Sequence, residues 1–136
     1  GIFNGKKSSY DDWAKPDPLG VYAKTKFEGE KFVIKNSSRY LICRAGWMMG
    51  GGPSKDKKFI QKLMKQIKEG SKELYIVNDK DGTPTYTHDF ANNVKLLIEK
   101  EKFGLYNMVC GGQTSRLEVA NELIKILGRN NFYSIL

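Results

Sequence analysis

The sequence predicts an α/β fold in which helices pack on a largely parallel sheet, and two observations predict it. Apolar runs of strand length alternate with segments of helical period along the 136 residues, which favours a layered architecture over a helical bundle or a sandwich. Residues 40–43, Tyr-Leu-Ile-Cys, form a continuous apolar run that is typical of parallel strands covered on both faces. A chain of this length is expected to bury one core.

The first third of the chain is predicted to hold a loop, a helix and a strand. The loop over residues 8–20 carries three Asp and two Pro, and a helix follows from about Val21 to Asn36. Its buried side is expected to consist of Phe27, Phe32, Val33 and Ile34. A strand from Arg39 to Ala45 comes next and is expected to lie in the interior of the sheet.

The middle of the chain is predicted to contain a second helix, a strand and a turn. The helix runs from Lys57 to Glu69, and its apolar positions are Phe59, Ile60, Leu63, Met64 and Ile67. Gly70 follows, and its missing Cβ suits the left-handed conformation that often ends a helix. The strand covers Glu73–Val77, and residues 79–82, Asp-Lys-Asp-Gly, form the turn.

Two more helices are predicted from their start signals. Asp89 precedes the helical apolar set of Phe90, Ala91, Val94, Leu97 and Ile98, so its carboxylate is expected to cap that helix. Residues 115–118, Ser-Arg-Leu-Glu, form a capping box in which each side chain accepts from the backbone N–H of the other residue. The stripe that follows is predicted to be core, with Gly128 ending the helix: Leu117, Ala120, Leu123, Ile124 and Leu127.

No metal site is predicted. The Asp79–Gly82 segment resembles part of a Ca²⁺ loop, but Val77 and His88 stand where that loop needs oxygen ligands. His88 is the only His and lacks partners at ligand spacing, so it is assigned a structural or loop role. Cys43 and Cys110 are expected to be buried, free thiols.

The basic charge does not by itself identify a partner. The net charge of +8 arises from 23 basic and 15 acidic residues, and many lysines flank the second predicted helix: Lys55, Lys57, Lys58, Lys62, Lys65, Lys68 and Lys72. They lie opposite the apolar stripe, which predicts a solvated face. A nucleic-acid interface would need aromatic side chains exposed among them, and Phe59 is at a core-facing position. No nucleic-acid partner is therefore expected, whereas a basic surface suits anionic small molecules.

Membrane association is not predicted either. No apolar run approaches the roughly 18 residues needed to span a bilayer, and no signal peptide is recognisable. We therefore expect a cytoplasmic protein. The sequence leaves the oligomeric state open, with a homodimer as one option.

Tyr22 and Lys26 form the pair of residues that points most directly to chemistry. Residues four apart share a helix face, so the Lys26 ammonium is expected beside the Tyr22 phenol. A nearby cation favours the phenolate and lowers a tyrosine pKa from its usual value of about 10. Such a phenol can donate a proton near neutral pH. The alternative is an exposed helix pair without a catalytic role.

The surroundings of this pair resemble the extended short-chain dehydrogenase/reductases, and within them the dTDP-4-dehydrorhamnose reductases. The matching blocks are residues 1–5, Gly-Ile-Phe-Asn-Gly; 17–30, Asp-Pro-Leu-Gly-Val-Tyr-Ala-Lys-Thr-Lys-Phe-Glu-Gly-Glu; 44–47, Arg-Ala-Gly-Trp; 77–91; 104–107, Gly-Leu-Tyr-Asn; and 111–115. Each block is short, but their order and spacing extend over nearly the whole chain. The resemblance implies the C-terminal portion of an NAD(P)-binding, Rossmann-type enzyme.

The resemblance also implies a division of labour along the chain. Residues 1–46 would complete the dinucleotide-binding sheet and carry the Tyr22–Lys26 helix, and residues 47–136 would form a small α/β lobe that binds the nucleotide-sugar. Hydride from NADPH or NADH would reach a 4-keto sugar while Tyr22 donates a proton to the carbonyl oxygen. Lys26 would assist Tyr22 and bind the nicotinamide ribose.

Substrate-binding residues follow from the same resemblance. Arg44 and Trp47 match the family pattern R-x-x-W, in which the indole lines the sugar pocket, and Thr83 would shape the pocket wall. A core role for Trp47 and a turn role for Thr83 remain alternatives.

Two departures from the family pattern limit the resemblance. The glycine-rich motif G-x-x-G-x-x-G that holds the dinucleotide pyrophosphate is absent from the sequence, and the family's catalytic Ser or Thr would lie just before Gly1. We therefore expect a fragment that is inactive alone. A nucleotide-sugar epimerase or dehydratase, and a non-catalytic regulatory relative that binds dinucleotide or a protein partner, remain alternatives. The choice between NADH and NADPH stays open as well.

Overall fold

The computed structural model describes residues 1–129 and the backbone of residues 134–135. Its elements, in chain order, are α1 (Val21–Asn36), β1 (Leu41–Ala45), β2 (Trp47–Met49), α2 (Phe59–Lys68), β3 (Glu73–Leu74), β4 (Asp81–Gly82), β5 (Pro84–Tyr86), α3 (Thr87–Glu99), β6 (Gly104–Met108), β7 (Thr114–Ser115), α4 (Arg116–Ile126) and β8 (Ser134–Ile135). The mixed α/β prediction is confirmed.

The chain divides into two compact units, each assembled from two stretches of sequence. The first unit holds residues 1–46 and 90–109, and the second holds residues 47–89 and the described residues from 110 onward. Residues 90–109 thus cluster with the first stretch of the chain. The functions predicted for residues 1–46 and 47–136 remain predictions.

The first unit is built on a parallel pair of strands. β1 pairs with β6 from Leu41 opposite Gly104 to Ala45 opposite Met108, and the Gly104 N–H donates to the Tyr40 carbonyl at 2.7 Å. The parallel pairing agrees with the apolar run in the sequence. The predicted interior position is wrong for the part of the chain that the structure describes. There β1 has one neighbour, and its side chains from Leu41 to Arg44 are only half-buried.

α1 has the predicted bounds but not the predicted buried face. Phe32 is 69% exposed, Val33 and Ile34 are exposed as well, and only Ala23 is buried. The face turned inward is instead formed by Ala23, Phe27 and Glu30, at the i, i+4, i+7 spacing of one helical stripe. The prediction was wrong because it grouped apolar residues without regard to their angular positions, and Phe32 and Val33 lie on other sides of the helix.

The second unit has a conventional apolar core. It consists of Leu63, Ile67, Leu74, Ala120 and Ile124, with Phe59, Ile76, Leu123 and Leu127 packed around it. These residues come from α2, β3, α4 and their flanks, which confirms the predicted stripes. The seven lysines near α2 are all exposed, so their face is solvated as predicted.

Glycine ends α2 in the predicted way. Gly70 adopts φ +83°, its N–H donates to the Ile67 carbonyl at 3.3 Å, and the Ser71 N–H donates to the Gln66 carbonyl at 3.1 Å. This pair of bonds is the Schellman motif, which satisfies carbonyls that the helix leaves unpaired. Gly128 ends α4 with the same pair of bonds, to Lys125 and Ile124.

Three local predictions are wrong in detail. The strand predicted over Glu73–Val77 is the two-residue β3, which pairs in parallel with β8. Asp81 and Gly82, predicted as turn residues, form β4 and pair with β7. α3 begins at Thr87, so Asp89 lies in its first turn and not before it. An acidic side chain in that turn still suits the positive end of the helix dipole.

Candidate functional site

The phenol of Tyr22 and the ammonium of Lys26 lie together on α1, as the spacing predicts. Lys26 Nζ is 5.5 Å from the centroid of the Tyr22 ring. Tyr22 is 70% exposed, and Lys26 is exposed beside it. Both residues belong to the first two turns, where the partial positive charge of the helix N-terminus adds to the Lys26 charge. An oxygen that gains negative charge here would find favourable electrostatics.

The segment that leads into α1 is braced by a chain of hydrogen bonds. Asn4 Nδ2 donates to Asp17 Oδ2 at 2.7 Å, and the Asp17 N–H donates to the Ile2 carbonyl at 2.9 Å. Tyr10 donates its hydroxyl to Asn4 Oδ1 at 2.8 Å and stacks on Phe3 with ring centroids 4.3 Å apart. The loop before Tyr22 is therefore an ordered structure, even though its Asp and Pro content predicts only a loop.

Arg44 is occupied by contacts within the first unit. Its Nη2 lies 2.7 Å from Glu30 Oε2 and its Nε lies 3.0 Å from Glu30 Oε1, so the two side chains form a bidentate pair between β1 and α1. The two side chains are only 11% and 12% exposed. The guanidinium also lies over the Phe3 ring, 5.4 Å from its centroid. The structure thus gives Arg44 a partner in Glu30, and its contact with substrate stays a prediction.

Asn107 continues this network to the loop ahead of α1. Arg44 Nη1 donates to Asn107 Oδ1 at 3.4 Å, and Asn107 Nδ2 donates to the carbonyls of Asp11 at 2.6 Å and Tyr10 at 3.2 Å. The Asn107 N–H also donates to the Asp12 carboxylate. Sequence reasoning missed Glu30 and Asn107. For Glu30 a signal existed, because its i+7 relation to Ala23 places an acidic residue on the inner face of the helix.

Trp47 lies in the second unit with its indole packed on neighbouring groups. A Cβ at Gly82 would come 2.4 Å from Trp47 Cε2, so the ring rests against a position that only glycine can fill. The Arg116 guanidinium is 4.0 Å from the Trp47 ring centroid and 4.7 Å from that of Phe59, which is cation–π geometry. Burial lowers the pKa of Arg116 below its usual value. Arg116 is a further residue that the sequence did not single out.

Thr83 is joined to Trp47 through the backbone. The Trp47 N–H donates to the Thr83 carbonyl at 3.0 Å, just ahead of the parallel pairing of β2 with β5, where Trp47 lies opposite Pro84. Thr85 is almost fully buried, and its hydroxyl donates to the Thr83 carbonyl at 3.4 Å. Trp47 and Thr83 are therefore brought together, and Tyr22, Lys26 and Arg44 belong to the other unit.

The described residues contain no group of His, Cys, Asp and Glu side chains that could hold a metal ion. His88 is exposed and stacks on Tyr86 at 5.1 Å between ring centroids. Cys43 and Cys110 are free and half-buried, and burial raises the pKa of the Cys43 thiol. Across residues 1–129 and 134–135, no helix combines the length and apolarity that a membrane span requires.

Comparison with known proteins assigns the family. The model of the RmlD substrate binding domain matches residues 1–133. The spore coat polysaccharide biosynthesis protein SpsK of Bacillus subtilis is 32% identical over 128 residues, which cover 93% of this chain and 44% of that protein. The dTDP-4-dehydrorhamnose reductase of Salmonella typhimurium is 34% identical over 111 residues, which cover 76% of this chain and 36% of that protein.

A solved structure shows the same architecture. The dTDP-4-dehydrorhamnose reductase of Bacillus anthracis, in complex with NADP, matches 99% of this chain and 46% of its own with a TM-score of 0.90 and 27% identity. The chain thus spans less than half the length of these relatives. The predicted fold, the C-terminal portion of a Rossmann-type extended short-chain dehydrogenase/reductase, is confirmed, and the chain belongs to the RmlD substrate binding domain family.

Proposed function

We propose that this chain is part of a nucleotide-sugar oxidoreductase that resembles dTDP-4-dehydrorhamnose reductase. The enzyme would transfer hydride from NAD(P)H to a 4-keto-6-deoxy sugar nucleotide, in dTDP-rhamnose biosynthesis and in the cytoplasm. The observation that carries the proposal is the exposed Tyr22 phenol, with Lys26 Nζ 5.5 Å from its ring centroid, on a chain of this family. An exposed proton donor beside a cation is what the reduction of a carbonyl requires of the protein.

The residues present fit one end of a dinucleotide. Tyr22 and Lys26 are exposed, with the ammonium near the phenol ring, and the hydroxyl and the ammonium would offer donors to ribose hydroxyls. The sequence lacks the glycine-rich turn that binds a pyrophosphate. When bound, the dinucleotide supplies the hydride. Tyr22 and Lys26 would bind its nicotinamide ribose.

Tyr22 is the proposed general acid. Negative charge grows on the substrate carbonyl oxygen during reduction, and the Tyr22 hydroxyl would donate a proton to that oxygen. Lys26 and the N-terminal end of α1 would stabilise the phenolate that remains, because both are positive and within two turns of Tyr22. Their contribution is electrostatic.

Trp47, Thr83 and Arg44 are the proposed substrate-binding residues. Trp47 is half-buried and held by Gly82 and Arg116, so the indole is a rigid apolar surface of the kind that binds sugar rings. Thr83 lies beside it through its backbone contact with Trp47. Arg44 would act from a fixed position, because Glu30 holds two of its nitrogen atoms.

The decisive experiment replaces Tyr22 in the natural polypeptide that contains this chain. Turnover of a dTDP-4-keto-6-deoxy sugar with NADPH or NADH is followed by loss of the reduced dinucleotide. Tyr22→Phe is expected to lower kcat by about 10²- to 10⁴-fold, the range of general acid catalysis. Tyr75→Phe is the matched control, because Tyr75 is similarly exposed at 73% and lies in the other unit.

The outcomes separate the alternatives. Unchanged kcat in Tyr22→Phe would overturn the role of the phenol. A wild-type protein that epimerises or dehydrates a sugar nucleotide without net consumption of dinucleotide would be an epimerase or a dehydratase. A wild-type protein that binds dinucleotide without turnover would be a regulatory relative.

A further inference from the structure

An ion pair between Glu30 and Arg44, whose side chains are 12% and 11% exposed, joins α1 to β1 in the first unit. Three nitrogen–oxygen distances of 2.7, 3.0 and 3.2 Å join the two side chains. We propose that Glu30 and Arg44 are positioning residues that fix the rotation of α1 and thereby the direction in which Tyr22 and Lys26 point. The proposal rests on the function proposed above, because it assigns these two residues to the same reaction.

Helix geometry connects the pair to the reacting groups. Glu30 follows Lys26 by four residues and Tyr22 by eight, which places Glu30 about 40° and about 80° around the helix axis from them. A helix of 16 residues behaves as a rod over these two turns, so a rotation at Glu30 turns Tyr22 equally. The bidentate contact of Arg44 with the Glu30 carboxylate therefore fixes the direction in which the Tyr22 phenol points.

Apolar packing cannot fix the rotation of α1 about its axis in the same way. Among the described residues of the helix only Ala23 is buried and Phe27 is half-buried, while Phe32 and the neighbouring Val33 and Ile34 are exposed. Apolar contacts are not directional, and a small buried Ala allows rotation. A bidentate guanidinium–carboxylate pair is directional, because two parallel hydrogen bonds fix the plane of both groups.

Arg44 is itself held on its other side. It lies on β1, donates to Asn107 on β6, and covers the Phe3 ring in the loop ahead of α1. Asn107 in turn holds the carbonyls of Tyr10 and Asp11 in that loop. The Arg44 guanidinium thus holds both the body of α1 and the segment that enters it. This arrangement is what a positioning role needs and what a simple surface ion pair lacks.

The test compares Glu30→Gln with Glu28→Gln in the natural polypeptide. Glu30→Gln keeps the shape of the side chain and removes its charge, and we expect kcat to fall by about 10- to 100-fold while KM for the keto sugar stays within about twofold. Glu28 and Lys31 pair on the exposed side of the same helix with side chains that are 66% and 51% exposed, and Glu28→Gln is expected to leave both constants unchanged. Arg44→Lys is the second variant. It keeps the charge but cannot form the fork, so we expect kcat to fall there as well.

Kinetics are measured at a temperature where circular dichroism shows each variant folded, so a loss of stability alone leaves kcat unchanged. Wild-type kcat in both Glu30→Gln and Arg44→Lys, with or without a lower melting temperature, would overturn the positioning role. Tyr22→Phe is run in parallel. If it abolishes turnover while the Glu30 and Arg44 variants stay fully active, only the positioning proposal fails. If Tyr22→Phe remains active, the proposed function fails first.

Discussion

The two units of the chain are stabilised by different kinds of contact. The buried apolar residues described in the first unit are Ile2 and Ala23, and its elements are joined by the Glu30–Arg44 pair and the Asn107 hydrogen bonds. The second unit buries five apolar side chains in one cluster that joins α2, β3 and α4. Apolar contacts are non-directional and persist when two elements shift slightly, whereas ion pairs and hydrogen bonds depend on the direction between their groups. The unit that carries Tyr22 and Lys26 is thus the one held by directional contacts.

Removing the guanidinium of Arg44 should produce the largest loss of stability. Arg44→Met keeps most of the side-chain length but leaves Glu30 charged and unpaired at 12% exposure, so we expect a loss of about 3–5 kcal/mol in the free energy of unfolding. Arg39→Met is the matched control, because the Arg39–Glu101 pair is 64% and 72% exposed and should cost at most about 1 kcal/mol. Equilibrium urea unfolding measures both. Equal losses in the two variants would show that the first unit depends no more on the shielded Glu30–Arg44 pair than on an exposed one.

The apolar core of the second unit should respond to the loss of a single side chain. Leu63 is 1% exposed, and Leu63→Ala is expected to lower the free energy of unfolding by about 2–5 kcal/mol because it removes buried methyl groups and leaves a cavity. Phe32→Ala in α1 removes a larger side chain that is 69% exposed, and we expect a change within about 0.5 kcal/mol. Urea unfolding of the two variants compares them. A larger loss for Phe32→Ala would show that its face of α1 is covered.

The smallest expected effect concerns the capping box of α4. The backbone N–H of Ser115, at 2.7 Å, and then the Thr114 hydroxyl, at 2.9 Å, hold the pKa of Glu118 below its usual value. A folded-state pKa that is lowered stabilises the fold above the unfolded value of about 4.3, and this stability disappears as pH falls through the folded value.

The melting temperature of Glu118→Gln is therefore expected to depend less on pH than that of the wild type in the acidic range below about pH 5. Glu122→Gln is the control, since Glu122 lies on the same helix and forms an exposed pair with Lys125. Thermal melts between neutral and acidic pH measure the difference. Parallel pH curves for wild type and Glu118→Gln would show that the capping box does not contribute.

Features set by neighbours in the sequence could be predicted, and features set by distant residues could not. The bounds of α1, the Ser115 capping box and the Gly70 ending follow from local chemistry, and the structure confirms them. The exposure of Phe32 depends on what packs against α1 from elsewhere in the chain. The length of β3 was wrong for the same reason, because its two residues are those that pair with the distant residues of β8.

The candidate site shows the same division. The proximity of Tyr22 and Lys26 follows from helical spacing alone, and the structure confirms it. The occupation of Arg44 by Glu30 could not be predicted, because it joins residues on two elements. Residues of one motif can be placed from the sequence, whereas the partners that hold them come from the fold.

The contact between Gly82 and Trp47 means that the residue at position 47 limits which residues position 82 can accept during evolution. A methyl group at residue 82 would come 2.4 Å from the indole, so a side chain there requires a smaller residue at 47 or a displaced ring. A side chain at 82 should therefore be accepted only together with a change at 47, whereas a smaller residue at 47 remains compatible with Gly82. In a library randomised at positions 47 and 82, folded variants with alanine or a larger residue at 82 should carry a residue other than tryptophan at 47.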